Sequence, residues 1–241
     1  MGRDANGATG RLEPFFIVDD LEAPVVDDAL AAHLRARRLG PRASIWIGDG
    51  RGRVRAATLA EVGRRTARIE ACGEIVAQPR RTPEVSIASY APSRERLAWM
   101  VAKLAELGIA DLWLLRAPHD RRGGEPLSAH ELGRLERIAR EAAQQAEVPW
   151  VVRIHDVGTL DELPRDGVVV ADPAGGGLVG RDVRCIVIGP ESGRIDGLAD
   201  VRRVRLPGGI LRVETAAVVA GALLVALGGN IVDPACAGGY A

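Results

Sequence analysis

Residues that hold metals are few and scattered in this chain. The three cysteines, Cys72, Cys185 and Cys236, lie far apart with no ligand spacing, which excludes a disulfide framework and leaves them as buried thiols. His33, His119, His130 and His155 are equally dispersed, so no metal site is expected. No apolar run reaches the roughly 18 residues of a membrane span free of charges and glycines; the best, Ala216 to Leu227, is too short and begins just after Glu214. The opening Met1-Gly2-Arg3-Asp4-Ala5-Asn6-Gly7 lacks the apolar core of a signal peptide. Long charge runs and low-complexity tracts are also missing, which argues against extensive disorder. The expectation is a soluble, cytoplasmic protein with no membrane partner.

Lysine is nearly absent. Lys103 is the only one, while Lys and Arg together number 32, balanced by 32 Asp and Glu. Zero net charge speaks against a general nucleic-acid coat protein, but the distribution is uneven. Arg35, Arg37, Arg38, Arg42, Arg51, Arg53 and Arg55 are opposed only by Asp49. A GC-rich coding bias also produces arginine in place of lysine, so abundance alone does not signify phosphate binding. Seven like charges in so short a stretch repel one another, however, and that cost favours an RNA footprint over a merely solvated face.

The period of the sequence changes near Gln78-Pro79-Arg80-Arg81-Thr82-Pro83, a proline-bearing segment without an apolar residue. Before it, Phe15-Phe16-Ile17-Val18 and Ser44-Ile45-Trp46-Ile47 read as strands, Asp49-Gly50 as a hairpin turn, and Val26 to Leu39 as one intervening helix. This predicts a small β-rich domain over residues 12–78. After it, Val85 to Tyr90, Asp111 to Leu115, Val148 to Ile154, Gly167 to Ala171, Cys185 to Ile188 and Val201 to Leu206 read as strands. Helices are expected from Ser93, as cap, to Leu107 with Gly108 as its stop, from Ser128 to Gln145, and from Val213 to Leu227. The alternation predicts an α/β domain over residues 84–241, with a mostly parallel sheet covered on both faces.

Two loops carry the chemistry. Ile186-Val187-Ile188-Gly189-Pro190-Glu191-Ser192-Gly193 runs a buried strand into a glycine- and proline-bearing turn. Ligands of α/β sheets bind at such carboxyl ends, where backbone amides lie open, although an ordinary strand-to-helix turn has the same composition. Leu206-Pro207-Gly208-Gly209-Ile210-Leu211 is a second such loop, leading into Arg212-Val213-Glu214-Thr215-Ala216. Neither loop has the lysine of a phosphate-cradling P-loop or the GxGxxG dinucleotide spacing. Backbone amides and carbonyls without a phosphate grip suit an adenosyl ligand that carries no phosphate.

This pair of loops resembles the "IGPEGG" and "LGxRILRxETA" motifs of the 16S ribosomal RNA uridine-N3 methyltransferases, small-subunit methyltransferase family E, of the knotted SPOUT class. Arg94-Glu95-Arg96 through Lys103-Leu104-Ala105-Glu106-Leu107-Gly108-Ile109 is similar to the family's "KxxELGV" helix, and Glu141-Ala142-Ala143-Gln144-Gln145 to its "EAxEQ" helix. Phe15-Phe16 and Asp49-Gly50-Arg51-Gly52 fit its PUA-like RNA-binding barrel. The matches fall in the family's order and cover nearly the whole chain.

The resemblance implies an α/β fold with a C-terminal trefoil-knotted, parallel-sheet methyltransferase domain preceded by the PUA-like β-barrel, and a homodimer formed through the knotted domain. It implies an enzyme that methylates N3 of a uridine in small-subunit ribosomal RNA, with S-adenosyl-L-methionine as cofactor. The implied cofactor contacts are Leu114, Leu115, Ile188, Gly189, Pro190, Glu191, Gly193, Leu206, Pro207, Gly208, Ile210, Leu211 and Thr215. Arg212 and Glu214 are the implied catalytic pair, and Arg35, Arg37, Arg38, Arg51, Arg53 and Lys103 the RNA contacts. Departures fall mostly on polar groups facing RNA: Ser192 and Pro207 replace glycines, Gly209 replaces an arginine, and Ala117-Pro118-His119-Asp120 stands in place of "TERS". They leave open a divergent relative that binds RNA or the cofactor with changed or absent catalysis. His155 and Asp156 are neighbours on a strand and point to opposite faces, so they read as structural.

Overall fold

The computed structural model describes residues 13–26, 28–63, 67–80, 83–116, 126–156, 160–164, 166–190, 198 and 200–229. The chain divides into two compact units, residues 1–78 and 79–241.

The first unit holds β1 (Phe15–Ile17), α1 (Asp28–Ala36), β2 (Ser44–Gly48), β3 (Arg53–Val62) and β4 (Ala67–Ala77). The strands lie in the order β1-β2-β3-β4, with β1 parallel to β2 and the rest antiparallel. Alternation sends Ile45 and Ile47 of β2 inward to meet Phe16, Leu34 and Leu59, all fully buried. The predicted hairpin forms between β2 and β3. Asp49 Oδ1 accepts the backbone N–H groups of Arg51 (2.8 Å) and Arg53 (3.1 Å), and Gly50 takes a positive φ of 72°, so the turn is organised by one carboxylate. Closure into the expected barrel is not seen among the described residues, where the strands form an open four-stranded sheet. The cysteine expectation needs correction: Cys72 is exposed because the alternation of β4 puts it outward with Arg68 and Glu70, opposite Ile69 and Ala71. Cys236 lies outside the described residues.

The second unit runs β5 (Ser86–Tyr90), α2 (Arg94–Glu106), β6 (Asp111–Leu115), α3 (Ala129–Gln145), β7 (Arg153–Asp156), a 3₁₀ turn (Leu160–Glu162), β8 (Val168–Ala171), β9 (Cys185–Ile188), β10 (Arg203–Val204) and α4 (Val213–Gly228). Its six strands are all parallel, in the order β10-β8-β9-β5-β6-β7. β5 and β9 are buried along their whole length, as central strands of a parallel sheet must be. Cys185 is buried at the start of β9, and that burial pushes its thiol up to about 11.

Among the described residues, helices cover one face of the sheet. Ile87, Leu112, Ile186 and Ile188 pack with Met100, Leu104, Leu135, Ala139, Ala217 and Ala220 of α2, α3 and α4. The opposite face, with Ala88, Tyr90, Leu115, Val170 and Val187, is closed by Leu163, Leu198 and the partly buried Leu160 and Val201. The cause is handedness. Right-handed crossovers from β5 through β7 place α2 and α3 on the same side. The chain then crosses back to β8, and the described residues of that connection carry a 3₁₀ turn. α4 returns to the helical side, where small residues let it approach α2 closely: a Cβ on Gly221 would lie 3.1 Å from Leu104 Cδ2.

Two helices end as Schellman motifs. Gly108 ends α2 at φ 72°, with its N–H bonded to Ala105 O and that of Ile109 to Leu104 O. α3 ends the same way at Glu147, φ 57°, where Glu147 N–H meets Gln144 O and Val148 N–H meets Ala143 O. That ending explains why the strand expected from Val148 begins only at Arg153: the Val148 amide is spent on the helix end and Pro149 has none. The strand expected over 201–206 shrinks to Arg203–Val204, because its neighbour β8 turns away at Asp172, whose carbonyl accepts from Gly175. At the helix starts, Ser128 forms a full capping box with Glu131, whereas Ser93 precedes α2 without a side-chain cap bond.

Candidate active site at the carboxyl edge of the sheet

One register row crosses the carboxyl edge of the second sheet: Val204, Ala171, Ile188, Ser89, Leu114 and Asp156 are successive partners. β5 leads outward to β6, while β9 leads the other way to β10, so the crevice between them is a topological switch point where α/β sheets bind ligands. The row brings Leu114 and Ile188 together on either side of Ser89, a fully buried serine whose hydroxyl donates to Tyr90 O at 3.0 Å. Leu115 is buried on the opposite face of the sheet, so the two implied leucines do not share an environment.

The loop after β9 continues through Gly189 and Pro190, both half-buried. Glu191 and Gly193, with Ser192 and Arg194, lie outside the described residues, as do Ala117, Pro118, His119 and Asp120. The loop after β10 is open. Pro207, Gly208 and Gly209 are exposed, and Gly208 adopts φ 102°, a conformation that disfavours side chains. Leu206 and Leu211 pack against the helix-side core. Ile210, between them in sequence, is 91% exposed, an apolar side chain left uncovered.

This loop delivers the chain to α4. Arg212 is the N-cap, in extended conformation and exposed, and Thr215 is half-buried. Glu214 sits in the first turn and is buried. The positive end of the helix favours a carboxylate there. One of its oxygens, Oε1, lies 3.9 Å from Arg96 Nε of α2; the other, Oε2, is buried with no hydrogen-bond partner. A buried acceptor without a donor is costly, and this oxygen keeps its full capacity to accept an N–H or O–H. Arg212 and Glu214 diverge in exposure and form no ion pair with each other. On the far side of the row, Arg116 follows β6 and pairs with Asp156 Oδ1 at 3.5 Å, while Asp156 Oδ2 accepts the Leu127 N–H at 2.7 Å.

The arginines of the first unit separate by role. Arg35, Arg37 and Arg38 gather at the end of α1, and Arg51 and Arg53 flank the β2–β3 turn. Arg53 pairs with Asp49 at 2.7 Å while staying largely exposed. Burial pushes the Asp49 carboxyl up, but hydrogen bonds from Arg53 and Arg51 outweigh it and hold it below the ordinary range. Arg55 is a structural brace, bonded to Glu22 (2.6 Å), Leu21 O (3.2 Å) and Gly73 O (2.9 Å). Lys103 belongs to α2 in the second unit, and its Nζ donates to both carboxylate oxygens of Glu106 at 2.7 and 3.0 Å.

His155 does not pair with Asp156. Its Nε2 meets Asp111 Oδ1 at 2.6 Å and its ring stacks on Trp113, 3.9 Å between centroids, a structural arrangement on the face away from α4. No cluster of three metal-ligating side chains occurs among the described residues, and no described helix is long and apolar enough to cross a membrane. Sequence reasoning gave no role to Ser89 or Arg116, and placed Arg96 in the family-like helix without assigning it one. Ser89 and Arg116 lie at or just beyond carboxyl ends of strands, and Arg96 opens the helix that follows one, which was the available signal.

The model of the RNA methyltransferase domain family matches residues 79–225. A comparison with curated proteins finds no match. Among solved structures, the chain is similar to the ribosomal RNA small subunit methyltransferase E from Neisseria gonorrhoeae, bound to S-adenosyl methionine. They share 22% identity, with 88% of this chain and 96% of that chain covered, and a TM-score of 0.73. A probable rRNA-methyltransferase from Porphyromonas gingivalis is 26% identical, with 91% and 100% covered and a TM-score of 0.71.

Proposed function

The chain belongs to the RNA methyltransferase domain family, and from that premise we propose that it methylates N3 of a uridine in small-subunit ribosomal RNA, using S-adenosyl-L-methionine. The observation that carries the reading is the pairing, at the carboxyl edge of one sheet, of the open loop at Pro207–Ile210 with a buried carboxylate whose Oε2 has no partner. The residues fit the cofactor. Uncovered apolar surface at Ile210, beside Leu206 and Leu211, suits an adenine ring, and open backbone at Gly189, Pro190, Pro207 and Gly208 suits hydrogen bonding to an adenosyl group. Leu114, Ile188 and Thr215 border the same crevice, and Glu191 and Gly193 continue the first loop. Leu115 has its side chain on the other face of the sheet, so its backbone is what it offers the cofactor.

When bound, S-adenosyl-L-methionine supplies an electrophilic methyl group on a sulfonium. The chain must hold the nucleophile in line with it. Uracil N3 carries a proton and is a poor nucleophile until that proton is shared or lost. Glu214 accepts the imide N–H at Oε2, and Arg212 stabilises negative charge developing on a uracil oxygen. The reacting edge is the Watson–Crick edge, so the target is an unpaired or flipped uridine.

Arg35, Arg37, Arg38, Arg51 and Arg53 of a PUA-like, barrel-type first unit grip the RNA backbone, with Lys103 of the second unit. A trefoil knot formed by the C-terminal chain, a homodimer through that domain and a cytoplasmic setting complete the proposal. Incubating the protein and the methyl donor with ribosomal RNA from a strain lacking the gene tests it. N3-methyluridine should appear in the small-subunit RNA, and absence of labelled product sinks the proposal. A second reading, a relative that binds without this reaction, is favoured by Gly209, which stands in open space where the family carries an arginine. Calorimetry showing cofactor binding, with no product on any RNA fraction, would establish that reading instead.

A further inference from the structure

Glu214 is buried, yet only one of its oxygens has a charged neighbour: Oε1 lies 3.9 Å from Arg96 Nε while Oε2 has no partner. A carboxylate turns about its last torsion with little preference. Presenting Oε2 to a ligand therefore requires that something hold Oε1. The backbone of α4 fixes only where the side chain begins. Arg96 comes from a different helix, in the first turn of α2, and α2 is clamped at both ends of its length. Leu104 packs against Gly221 of α4, and Arg94 pairs with Glu131 at the start of α3.

We infer that Arg96 is a positioning residue: across the α2–α4 contact its guanidinium fixes Glu214 Oε1, leaving Oε2 directed to the target base. This rests on the reading of Glu214 as the group that meets the imide N–H. The 3.9 Å separation is too long for a direct hydrogen bond at Nε, so the coupling is charge attraction, with or without a bridging water. Arg96 is about two-fifths exposed and Glu214 one-tenth, which makes the carboxylate the constrained member and the arginine its solvent-facing anchor. A lysine at this position keeps the charge but not the fork.

The test is a double-variant cycle with Arg96→Met and Glu214→Gln, read by methyl transfer to ribosomal RNA and by urea unfolding midpoint. Arg96→Met should lower kcat about tenfold to a hundredfold, with KM for RNA and for the methyl donor within about twofold. Arg96→Lys should recover part of that loss. In the Glu214→Gln background, Arg96→Met should have little further effect on kcat, and the unfolding midpoints should be non-additive. A raised KM for RNA at unchanged kcat would instead make Arg96 a direct RNA contact and overturn the inference, as would losses that multiply in the double variant. If the unmodified protein transfers no methyl group to ribosomal RNA, the proposed function fails on its own. The midpoints still decide the coupling: additive midpoints overturn it, and non-additive ones uphold the Arg96–Glu214 linkage independently of substrate.

Discussion

Arg153 grips Asp111 with two nitrogens, Nε and Nη2, each 2.7 Å from a carboxylate oxygen, across register partners on adjoining parallel strands. The same carboxylate meets His155, and Arg153 also reaches Glu84 at 2.9 Å. Burial pushes the Asp111 carboxyl up, but the bonds from Arg153 and His155 outweigh it and hold it below the ordinary range. A carboxyl lowered in the folded state adds stability above its unfolded value, and that stability is lost as pH falls through the folded value. Asp111→Asn should therefore cost about 1–2 kcal/mol at neutral pH, discounted because Arg153 is half-exposed. Urea unfolding should show this gap shrinking from about pH 5 downward; a gap constant with pH would refute the assignment.

Glu147 holds a left-handed conformation that α2 assigns to a glycine, Gly108, in an equivalent helix end. A side chain there costs about 1 kcal/mol. Glu147→Gly should raise stability by up to about 1 kcal/mol, seen as a higher urea midpoint with an unchanged slope. Gly108→Ala should do the reverse by a similar amount, since its Cβ would meet Val148 Cγ1 only at 3.7 Å and the penalty is conformational.

Ile210 gives a cleaner probe of the crevice. It is 91% exposed, so Ile210→Ser should leave stability within about 0.5 kcal/mol. If its side chain covers the adenine, the apolar burial removed is worth about 1.5 kcal/mol, or about a tenfold weaker Kd by calorimetry. Gly208→Ala should also weaken cofactor binding, through strain at φ 102°. Unchanged affinity in both variants would remove this loop from the cofactor site.

Period and turn chemistry made most of the second unit legible. Strands β5, β6, β8 and β9 and all three helices lie within a residue or two of their expected spans, because continuous burial and 3.6-residue stripes are strong signals there. What local pattern cannot carry is the competition for single groups. Val148 reads as a strand residue, but its amide goes to the end of α3. The helices read as covering both faces, but that depends on which way the chain crosses after β7. In the site, the glycine loops and Glu214 were legible as a stretch near the C-terminus. Arg96 was not, because its meaning comes from α2 lying against α4, more than a hundred residues away in sequence.

The arginine cluster of the first unit supplies the sharpest contrast between a footprint and a scaffold. Arg55 is bonded to Glu22, Leu21 and Gly73, so Arg55→Ala should lower the unfolding midpoint, whatever its effect on RNA. Arg38 and Arg51 are exposed, and the Asp49 carboxylate beside Arg51 already accepts its backbone N–H and pairs with Arg53. Substituting Arg38 or Arg51 by alanine should therefore leave stability unchanged and weaken RNA binding. An arginine that meets a phosphate has a signature beyond affinity, because it displaces condensed counterions. The slope of log K against log salt should become shallower by about 0.7 for each arginine that ceases to neutralise a phosphate of single-stranded RNA. Filter binding across a salt series measures it. Weaker binding at an unchanged slope would mean that these arginines do not meet phosphates, and a lowered midpoint for Arg51→Ala would make that residue part of the turn.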